Sequence, residues 1–244
     1  MDVTLISSMF EGLPRQGPGS DEATAFASSF IPNDAKRGKI LDIGCESGMQ
    51  DLTLAKICPE CLVTASDLHQ PFLDELMRKA KMAGLDGKII THQASMDNLP
   101  FDDGSFNIIW AEGSAFIIGI LNALKYWKKF LKPDGYMMIS DCTWFTSTPS
   151  EECKNFFDEI SPDMPSVPET VQMINSEGYS FIGSFRLPYT GWWNQYYSPL
   201  TGQIDMLKEK YADNQDAQLI IQGLENEMNI HRKYSKEYGY TYFV

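Results

Sequence analysis

Two glycines and an aspartate near the beginning of the chain have the spacing of a nucleotide-binding turn. The stretch KILDIGCESGMQ, residues 39–50, reads as a buried strand followed by Gly44 and Gly48. Gly44 permits a sharp turn after the strand, and Gly48 permits the next helix to begin close to a ligand. Asp67 follows a second apolar run, nineteen residues after Gly48, where an acid accepts hydrogen bonds from ribose hydroxyls. The alternative for Asp67 is a turn or helix-capping role.

Glu46 separates the two classes of cofactor that such a turn holds. A dinucleotide needs G-x-G-x-x-G, and the corresponding positions here are Gly44, Glu46 and Met49. A carboxylate would repel a pyrophosphate, whereas S-adenosylmethionine (SAM) has no phosphate and carries a sulfonium cation. The pattern therefore favours SAM over a nicotinamide dinucleotide. A turn that has lost its cofactor remains an alternative.

Strands and helices alternate along the first part of the chain. Apolar runs predict strands, and capped or periodic stretches predict helices between them. This alternation is typical of parallel strands joined by crossover helices, covered on both faces. The predicted strands are residues 39–43, 61–67, 88–93, 106–111 and 136–140, and the predicted helices follow Ser20, span 48–58 and 71–84, and follow Ser114.

The pattern changes after residue 141. Residues 142–170 are rich in Pro, Ser and Thr and predict no regular element, and the aromatic stretch at 188–200 predicts a loop. We expect the two late strands to pair antiparallel at the sheet edge, with 142–170 and 188–237 over the carboxyl ends of the parallel strands, where ligands bind. The other late elements are predicted as a helix at 167–177, a strand at 179–187, helices over about 200–237 and a last strand, GYTYFV.

The net charge of −13 argues against nucleic-acid and anionic-membrane partners, since both reward basic patches. The N-terminus lacks the pattern of a signal peptide, and no apolar run approaches the ~18 residues of a membrane span. Five cysteines, at 45, 58, 61, 142 and 153, suit reduced thiols in a cytoplasm. The CPEC pair at 58–61 lacks partners for a zinc site, so we expect no metal.

Four further stretches resemble class I SAM-dependent methyltransferases of the group similar to the small-molecule and quinone C-methyltransferases. They are LDIGCESG, VTASDL, QASMDNLPFDDGSFNIIWAEG and LKPDGYMMISD, in the family's order and spacing. RQGPGS, WNQYYSP and YGYTYFV also resemble an uncharacterised bacterial and archaeal subgroup. The resemblance implies an α/β, doubly wound, Rossmann-like sheet of seven strands in the order 3-2-1-4-5-7-6, the last strand antiparallel, with helical lid segments. It implies one domain over 1–244: cap 1–30, SAM-binding core 31–141, lid 142–237 including strand 6, and final strand 238–244.

The resemblance also implies roles for the residues at the motifs. Glu46 stands where the family has glycine, and Ser95 stands where it often has Asp. Arg15, in the loop before the first helix, is a candidate partner for the SAM carboxylate, or an ordinary surface arginine. The implied SAM-binding positions are Gly44, Cys45 and Gly48 at the methionine part, Asp67 at the ribose, Leu68, Ser95 and Met96 at the adenine, and Ala111 and Glu112 beside the methyl donor.

Methyl transfer is an in-line displacement, so positioning supplies most of the rate and a strong base is needed only if the acceptor must lose a proton. Glu112 and Tyr196 are the candidates for catalysis. Aromatic rings near a sulfonium or a cationic substrate contribute cation–π attraction, although lid packing explains such rings equally well. The candidate substrate residues are Trp144, Trp192, Trp193 and Tyr197.

The sequence therefore predicts methyl transfer from SAM to an unidentified small molecule in the cytoplasm, leaving S-adenosylhomocysteine (SAH). The alternatives are a non-catalytic SAM-binding protein and a nicotinamide-dependent oxidoreductase. The sequence leaves the oligomeric state open, with a homodimer among the states it allows.

Overall fold

The computed structural model describes residues 3–244. A seven-stranded sheet has the order β3-β2-β1-β4-β5-β7-β6, as predicted. Strands β1 to β5 are parallel, and β7 is antiparallel to both of its neighbours. The strands are β1 Gly38–Ile43, β2 Cys61–Asp67, β3 Ile89–Gln93, β4 Phe106–Glu112, β5 Leu131–Trp144, β6 Ser184–Arg186 and β7 Tyr238–Phe243.

Helices cover both faces of this sheet. One face packs against α1–α4, α6, α9 and α10, and the other packs mainly against α5 and α7. No helix among residues 3–244 is long and apolar enough to cross a membrane. The helices are α1 Val3–Phe10, α2 Asp21–Ser29, α3 Met49–Ile57, α4 Gln70–Met82, α5 Ile120–Trp127, α6 Glu151–Ile160, α7 Val167–Ser176, α8 Tyr189–Trp192, α9 Ser198–Lys210 and α10 Gln215–Tyr234.

The capping predictions had two outcomes. Ser20 caps α2 as expected, since its hydroxyl accepts the Ala23 N–H. Ser114 does not cap a helix: its hydroxyl donates to the Ile43 carbonyl at 2.6 Å, where β1 ends. A 3₁₀ turn, Ala115–Ile117, separates Ser114 from α5. Ser114 therefore ties the end of β1 to the loop that follows β4.

Four local predictions differ from the structure. The turn predicted at 132–135 lies inside β5, where Asp134 has φ +60° and the pairing with β4 shifts register. Residues 142–170 contain α6, whose buried residues Cys153 and Phe157 are one helical turn apart. The predicted strand 179–187 is reduced to β6. The predicted loop at 188–200 consists of α8, a π-helical turn at Trp193–Tyr197 and the start of α9.

Cys58 and Cys61 are joined by a disulfide, so the expectation of reduced thiols is wrong for this pair. The turn between α3 and β2 brings their Cα atoms to 5.3 Å, within the range that a disulfide spans. Both residues are buried. Cys45, Cys142 and Cys153 are free thiols.

Candidate functional site

The backbone of the glycine turn is left-handed at three residues. After β1, φ is +75° at Gly44, +53° at Glu46 and +73° at Gly48. A Cβ at Gly44 would lie 2.6 Å from the Ser114 Cβ, and one at Gly48 would lie 2.2 Å from a Leu76 methyl. Both glycines are therefore required by backbone conformation and by close packing.

Asp67 lies at the tip of β2 and binds this turn. Its Oδ2 accepts the Glu46 N–H at 2.9 Å, and its Oδ1 accepts the His69 N–H at 2.8 Å. Burial raises the pKa of Asp67, and these N–H donors oppose that rise. Each carboxylate oxygen has a second lone pair, so Asp67 can also accept hydrogen bonds from a ligand.

The side chain of Glu46 turns towards the loop that precedes α2. A Cβ on Gly17 would lie 3.6 Å from Glu46 Oε1. Burial and the nearby charge of Asp67 raise the pKa of Glu46 to about 8, against the opposing effects of Arg15 and the Gln16 N–H. The turn thus presents a carboxyl group that an anionic ligand would meet unfavourably.

The loop between α1 and α2 is fastened over the glycine turn. Gln16 Oε1 accepts the Ser47 N–H at 3.0 Å, and Gln16 Nε2 donates to the Leu13 carbonyl at 3.0 Å. Lys79 of α4 donates to the Ser47 hydroxyl at 2.8 Å and to the Pro14 carbonyl at 3.4 Å. A ligand in the turn would therefore lie beneath this loop.

Arg15 is buried within the same loop and is engaged by protein groups. Its guanidinium donates to Asp21 Oδ1 at 2.9 Å and to Gln195 Oε1 at 3.0 Å, and its Nη1 lies 3.6 Å from Glu112 Oε2. The surface alternative is thereby excluded. Arg15 joins α2, the π-helical turn and β4 at one point.

Glu112, at the end of β4, is a buried acceptor. Its carboxylate accepts the Thr24 hydroxyl at 2.6 Å, the Trp110 indole N–H at 2.9 Å and the Tyr242 hydroxyl at 3.1 Å. A proton taken by Glu112 would compete with these donors. The geometry suits a charge that holds neighbouring groups in place, while the predicted role in catalysis stays a prediction.

The positions matched to adenine lie along the same edge of the sheet. Leu68 is exposed, and the Ser95 hydroxyl donates to Asp97 Oδ1 at 2.5 Å. The Met96 carbonyl accepts the Trp127 indole N–H. The Met96 side-chain methyl lies 3.5 Å from where a Cβ of Gly44 would be. Buried Cys45 is in the turn itself. Ala111 packs with the α5 side of the sheet, opposite to the side of Glu112.

The aromatic residues divide into two groups. Trp144 packs edge-on against Phe157 and Tyr238, beside α6. Trp193 donates its indole N–H to His231 Nδ1 at 3.1 Å. The remaining candidates, Trp192, Tyr196 and Tyr197, are buried in α8 and the π-helical turn.

His231 is a packing residue. Its ring stacks on Trp192 at 4.3 Å between centroids, and burial lowers its pKa to about 4. The imidazole is therefore neutral at physiological pH. Its Nδ1 accepts the hydrogen bond from the Trp193 indole N–H, so this nitrogen does not act as a base towards a substrate.

Glu227 of α10 was missed by sequence reasoning. Its Oε1 accepts the Tyr197 hydroxyl at 2.6 Å. The signal was available, because Glu227 lies three residues after buried Leu224 and four before buried His231, on the apolar face of the helix. An acid at such a position is unusual and needs a partner.

Three further buried aspartates were also missed. Burial raises the pKa of Asp42 well above its usual value, and it raises the pKa of Asp51 and of Asp141 to about 7. Within the described residues, Asp141 Oδ2 has no hydrogen-bond partner, while Oδ1 accepts the Cys142 N–H at 2.6 Å. Asp42 and Asp141 lie in β1 and β5 and Asp51 lies in α3, and the sequence alone could not show that these aspartates are buried.

Comparison with known proteins gives the family of the core. Residues 40–135 match the family described as a methyltransferase domain. These residues form a class I methyltransferase domain. It contains β1 to β4, the glycine turn and Asp67, and it ends within β5.

The methyltransferase domain has similar proteins among curated sequences. The ubiquinone/menaquinone biosynthesis C-methyltransferase UbiE of Rickettsia massiliae is 31% identical over 159 residues, 62% of this chain and 61% of that protein. Phosphoethanolamine N-methyltransferase 1 of Arabidopsis thaliana is 27% identical over 145 residues, 59% of this chain and 29% of that protein. The chain thus spans less than two thirds of the length of either protein.

A solved structure extends the likeness to nearly the whole fold. The SAM-dependent methyltransferase of Geobacter sulfurreducens, in complex with SAH, aligns with a TM-score of 0.81 at 18% identity. The alignment covers 98% of this chain and 96% of that one. At this identity the likeness concerns the fold, including the late strands and the helices that follow the methyltransferase domain.

Proposed function

We propose that the protein transfers the methyl group of SAM to a small-molecule acceptor. The observation that carries the proposal is the bond between the glycine turn and Asp67, at the carboxyl edge of β1 and β2. Doubly wound folds bind nucleoside ligands at this edge. The proteins similar to this chain include a methyltransferase whose structure holds SAH.

The residues of the turn fit SAM better than they fit a dinucleotide. Gly44 and Gly48 give the turn its left-handed backbone, and Asp67 has free lone pairs for ribose hydroxyls. An ammonium group of a methionine tail beside Glu46 would lower the pKa of this carboxyl group and be held by the carboxylate, whereas a pyrophosphate there would raise the pKa further. This sign of charge supports SAM and disfavours the oxidoreductase alternative.

SAM, when bound, supplies a methyl group already activated by its sulfonium. The chain then has to position an acceptor and exclude water. Gly44, Cys45 and Gly48 would hold the methionine part, and Leu68, Ser95 and Met96 would lie at the adenine. The loop between α1 and α2 would cover the turn, since Gln16 and Lys79 already fasten it there.

Binding of SAH, measured by calorimetry, tests the cradle. We expect wild type to bind and Asp67→Ala to lose at least about tenfold in affinity, since a charge-assisted hydrogen bond contributes roughly 1.5–3 kcal/mol. Glu46→Gly should bind several-fold more weakly, because the ammonium loses its charge partner. Asp134→Gly is the matched control, since Asp134 has the same left-handed backbone on an exposed part of β5.

Each result has a defined meaning. Failure of wild type and both turn variants to bind SAH would overturn the proposal. Binding by Glu46→Gly alone would identify a turn whose glutamate has disabled it, which is the non-catalytic alternative. Binding of NAD(H) by wild type would favour the oxidoreductase. Formation of SAH from SAM with a metabolite panel would then identify the acceptor.

A further inference from the structure

A carboxyl group lies enclosed by phenols on the side of the sheet that holds the glycine turn. Glu227 of α10 is half-buried, and Tyr197 donates to its Oε1 at 2.6 Å. Its other oxygen, Oε2, receives no hydrogen bond from the described part of the chain. We call the surrounding group the Glu227 cluster: Glu227, Cys142, Tyr196, Tyr197, Tyr238 and Tyr240.

Ring contacts and strand pairing bring the members of the cluster together. The rings of Tyr196 and Tyr197 are 4.8 Å apart, Tyr238 and Tyr240 both pack on Trp192, and Cys142 pairs with Tyr240 between β5 and β7. The negative charge of Glu227 adds to burial in raising the pKa of the Cys142 thiol and of the hydroxyls of Tyr196, Tyr197, Tyr238 and Tyr240. The residues come from the π-helical turn, α10, β5 and β7. Within the described residues the Tyr238 hydroxyl is buried and has no hydrogen-bond partner. The cluster therefore offers two oxygens, Tyr238 Oη and Glu227 Oε2, that receive no hydrogen bond from the described residues.

No cation from residues 3–244 balances the charge of Glu227. The influences on its pKa are burial, which raises it, and the Tyr197 hydroxyl, which lowers it. The same helix provides a contrast, since Glu225 pairs with Lys208 at 2.7 Å near the surface. A buried carboxylate without a cation is costly, and a bound cation would remove that cost.

The cluster adjoins the proposed cofactor site. Tyr196 packs its ring 4.8 Å from that of Tyr197, the partner of Glu227, and its hydroxyl is affected by the charges of both Glu227 and Glu46. The ring of Tyr240 packs against Gly113, the residue that follows Glu112. A Cβ on Gly113 would lie 2.7 Å from this ring. Cys142 and Tyr240 are half-buried, so both keep surface that a small molecule can contact. An acceptor in the cluster would lie beside the methyl donor.

We propose that the Glu227 cluster is the acceptor site and that it takes a basic amine, bound as an ammonium ion by the Glu227 carboxylate and the tyrosine hydroxyls. This inference rests on the function proposed above. An ammonium has donors and no acceptors, which matches a carboxylate oxygen and a phenol oxygen that receive no hydrogen bond from the described residues. Phenol rings around the cation add cation–π attraction. A carboxylate or phosphate acceptor would meet like charge instead.

The transfer step balances with Glu227 as the proton acceptor. The ammonium gives one proton to the carboxylate, which leaves a neutral amine with a lone pair. That lone pair forms the new N–C bond to the SAM methyl while the S–C electron pair goes to sulfur. The products are an N-methylammonium and SAH, and the carboxylic acid of Glu227 returns its proton to solvent. Lys and Arg are absent from the charges affecting Glu227, so the ammonium would be the ion that balances it.

Calorimetric titration of the SAH complex with matched amines and alcohols tests the site. The probes are benzylamine with benzyl alcohol, 2-phenylethylamine with 2-phenylethanol, and cyclohexylamine with cyclohexanol, at neutral pH. We expect at least one amine to bind about tenfold more tightly than its alcohol, as a charge-assisted contact predicts. Glu227→Gln should abolish this preference, because glutamine keeps the size and the acceptor for Tyr197 but not the charge. Glu225→Gln, on the same helix, should leave the preference unchanged.

The outcomes separate this inference from the proposed function. If wild type does not bind SAH, the proposed methyltransferase function is overturned. With SAH bound, equal affinity for amines and alcohols, or a preference that survives Glu227→Gln, overturns the amine site. If Glu227→Gln binds SAM more weakly than wild type but binds amines with unchanged affinity, the carboxylate interacts with the sulfonium of SAM, and the amine site is overturned. If Glu227→Gln loses SAH affinity by misfolding, Tyr240→Phe, which keeps the ring against Gly113, takes its place.

Incubation of wild type with SAM and the preferred amine completes the test. Mass spectrometry should find the N-methylated amine. Because the carboxylate binds the ammonium, Glu227→Gln should raise KM for the amine by a larger factor than it lowers kcat. Binding of the amine without methylation would overturn the assignment of the cluster as the acceptor site.

Discussion

Glu46 has the backbone conformation that glycine adopts easily, together with an acidic side chain. A left-handed residue other than glycine costs roughly 1–2 kcal/mol. The sequence identified the position as exceptional because the expected residue there is glycine. It could not show where the carboxyl group points, since Gln16 and Gly17 come from a distant loop that only the fold brings close.

Asp141 makes the stability of the protein depend on pH. Burial raises its pKa from 3.8 to about 7, so the folded state holds a proton that the unfolded state has lost between these values. Stability should therefore fall as the pH rises from 5 to 7 and change little from this group above that. Asp141→Asn, which can still accept the Cys142 N–H, should remove about 2–3 kcal/mol of this fall. Urea unfolding of both proteins at pH 5 and pH 8 measures it.

Asp103→Asn serves as the control for that measurement, because Asp103 is exposed in the turn before β4. Its effect on unfolding should be small and the same at both pH values. A wild type and an Asp141→Asn variant with parallel pH dependence would show that Asp141 is charged in the folded state at pH 5.

The strands of the parallel sheet were predictable because their sequences are continuous apolar runs. Predicted and observed bounds agree within about one residue for β1 to β4. β5 was underestimated, since the Pro and Gly of 132–135 are typical turn residues and yet lie in a strand that bulges. Pro and Gly favour a turn locally, but pairing with β4 on both sides of residues 132–135 places them in a strand.

The helices after β5 were less predictable, and for a different reason. α6 has an apolar stripe at helical spacing, Cys153, Phe156, Phe157 and Ile160, but the residues rich in Pro, Ser and Thr on either side obscured this pattern in the sequence. In the aromatic stretch, Trp192, Tyr196 and Tyr197 are buried at spacings that a π-helical turn changes by one residue. The acceptor side of the site was consequently harder to predict than the cofactor side, where glycines mark the turn.

The disulfide at the junction of α3 and β2 should stabilise the protein without affecting the site. The closed loop is short, so the chain-entropy effect is about 2 kcal/mol or less. Cys61 begins β2 and Asp67 ends it, roughly 20 Å apart at the rise of a strand. We expect reduction with dithiothreitol to lower the Tm by several degrees while SAH affinity stays constant. Thermal unfolding and calorimetry with and without reductant measure both effects.

A variant with Cys58→Ser and Cys61→Ser is the matched control, and dithiothreitol should leave its Tm unchanged. Alkylation of denatured, unreduced wild type should label three cysteines, which are Cys45, Cys142 and Cys153. Five labelled cysteines would contradict the disulfide.

The site depends on segments that are far apart in the chain. The loop before α2, α2 itself and β7 all contribute groups around Glu112, and Arg15 joins α2, the π-helical turn and β4. Such a site cannot form unless the methyltransferase domain and the late segments fold together. We therefore propose that the whole chain folds as one domain.

SAH should therefore stabilise the entire chain in one cooperative transition. At 100 times its Kd, a ligand specific for the folded state adds about 2.7 kcal/mol, which corresponds to roughly 5–10 °C in Tm for a chain of this size. Asp67→Ala should show a smaller rise at the same SAH concentration. Differential scanning calorimetry would record one peak that moves as a unit. Two peaks, of which SAH moves only one, would mean that the late segments fold apart from the cofactor site, and Glu227 could then not complete it.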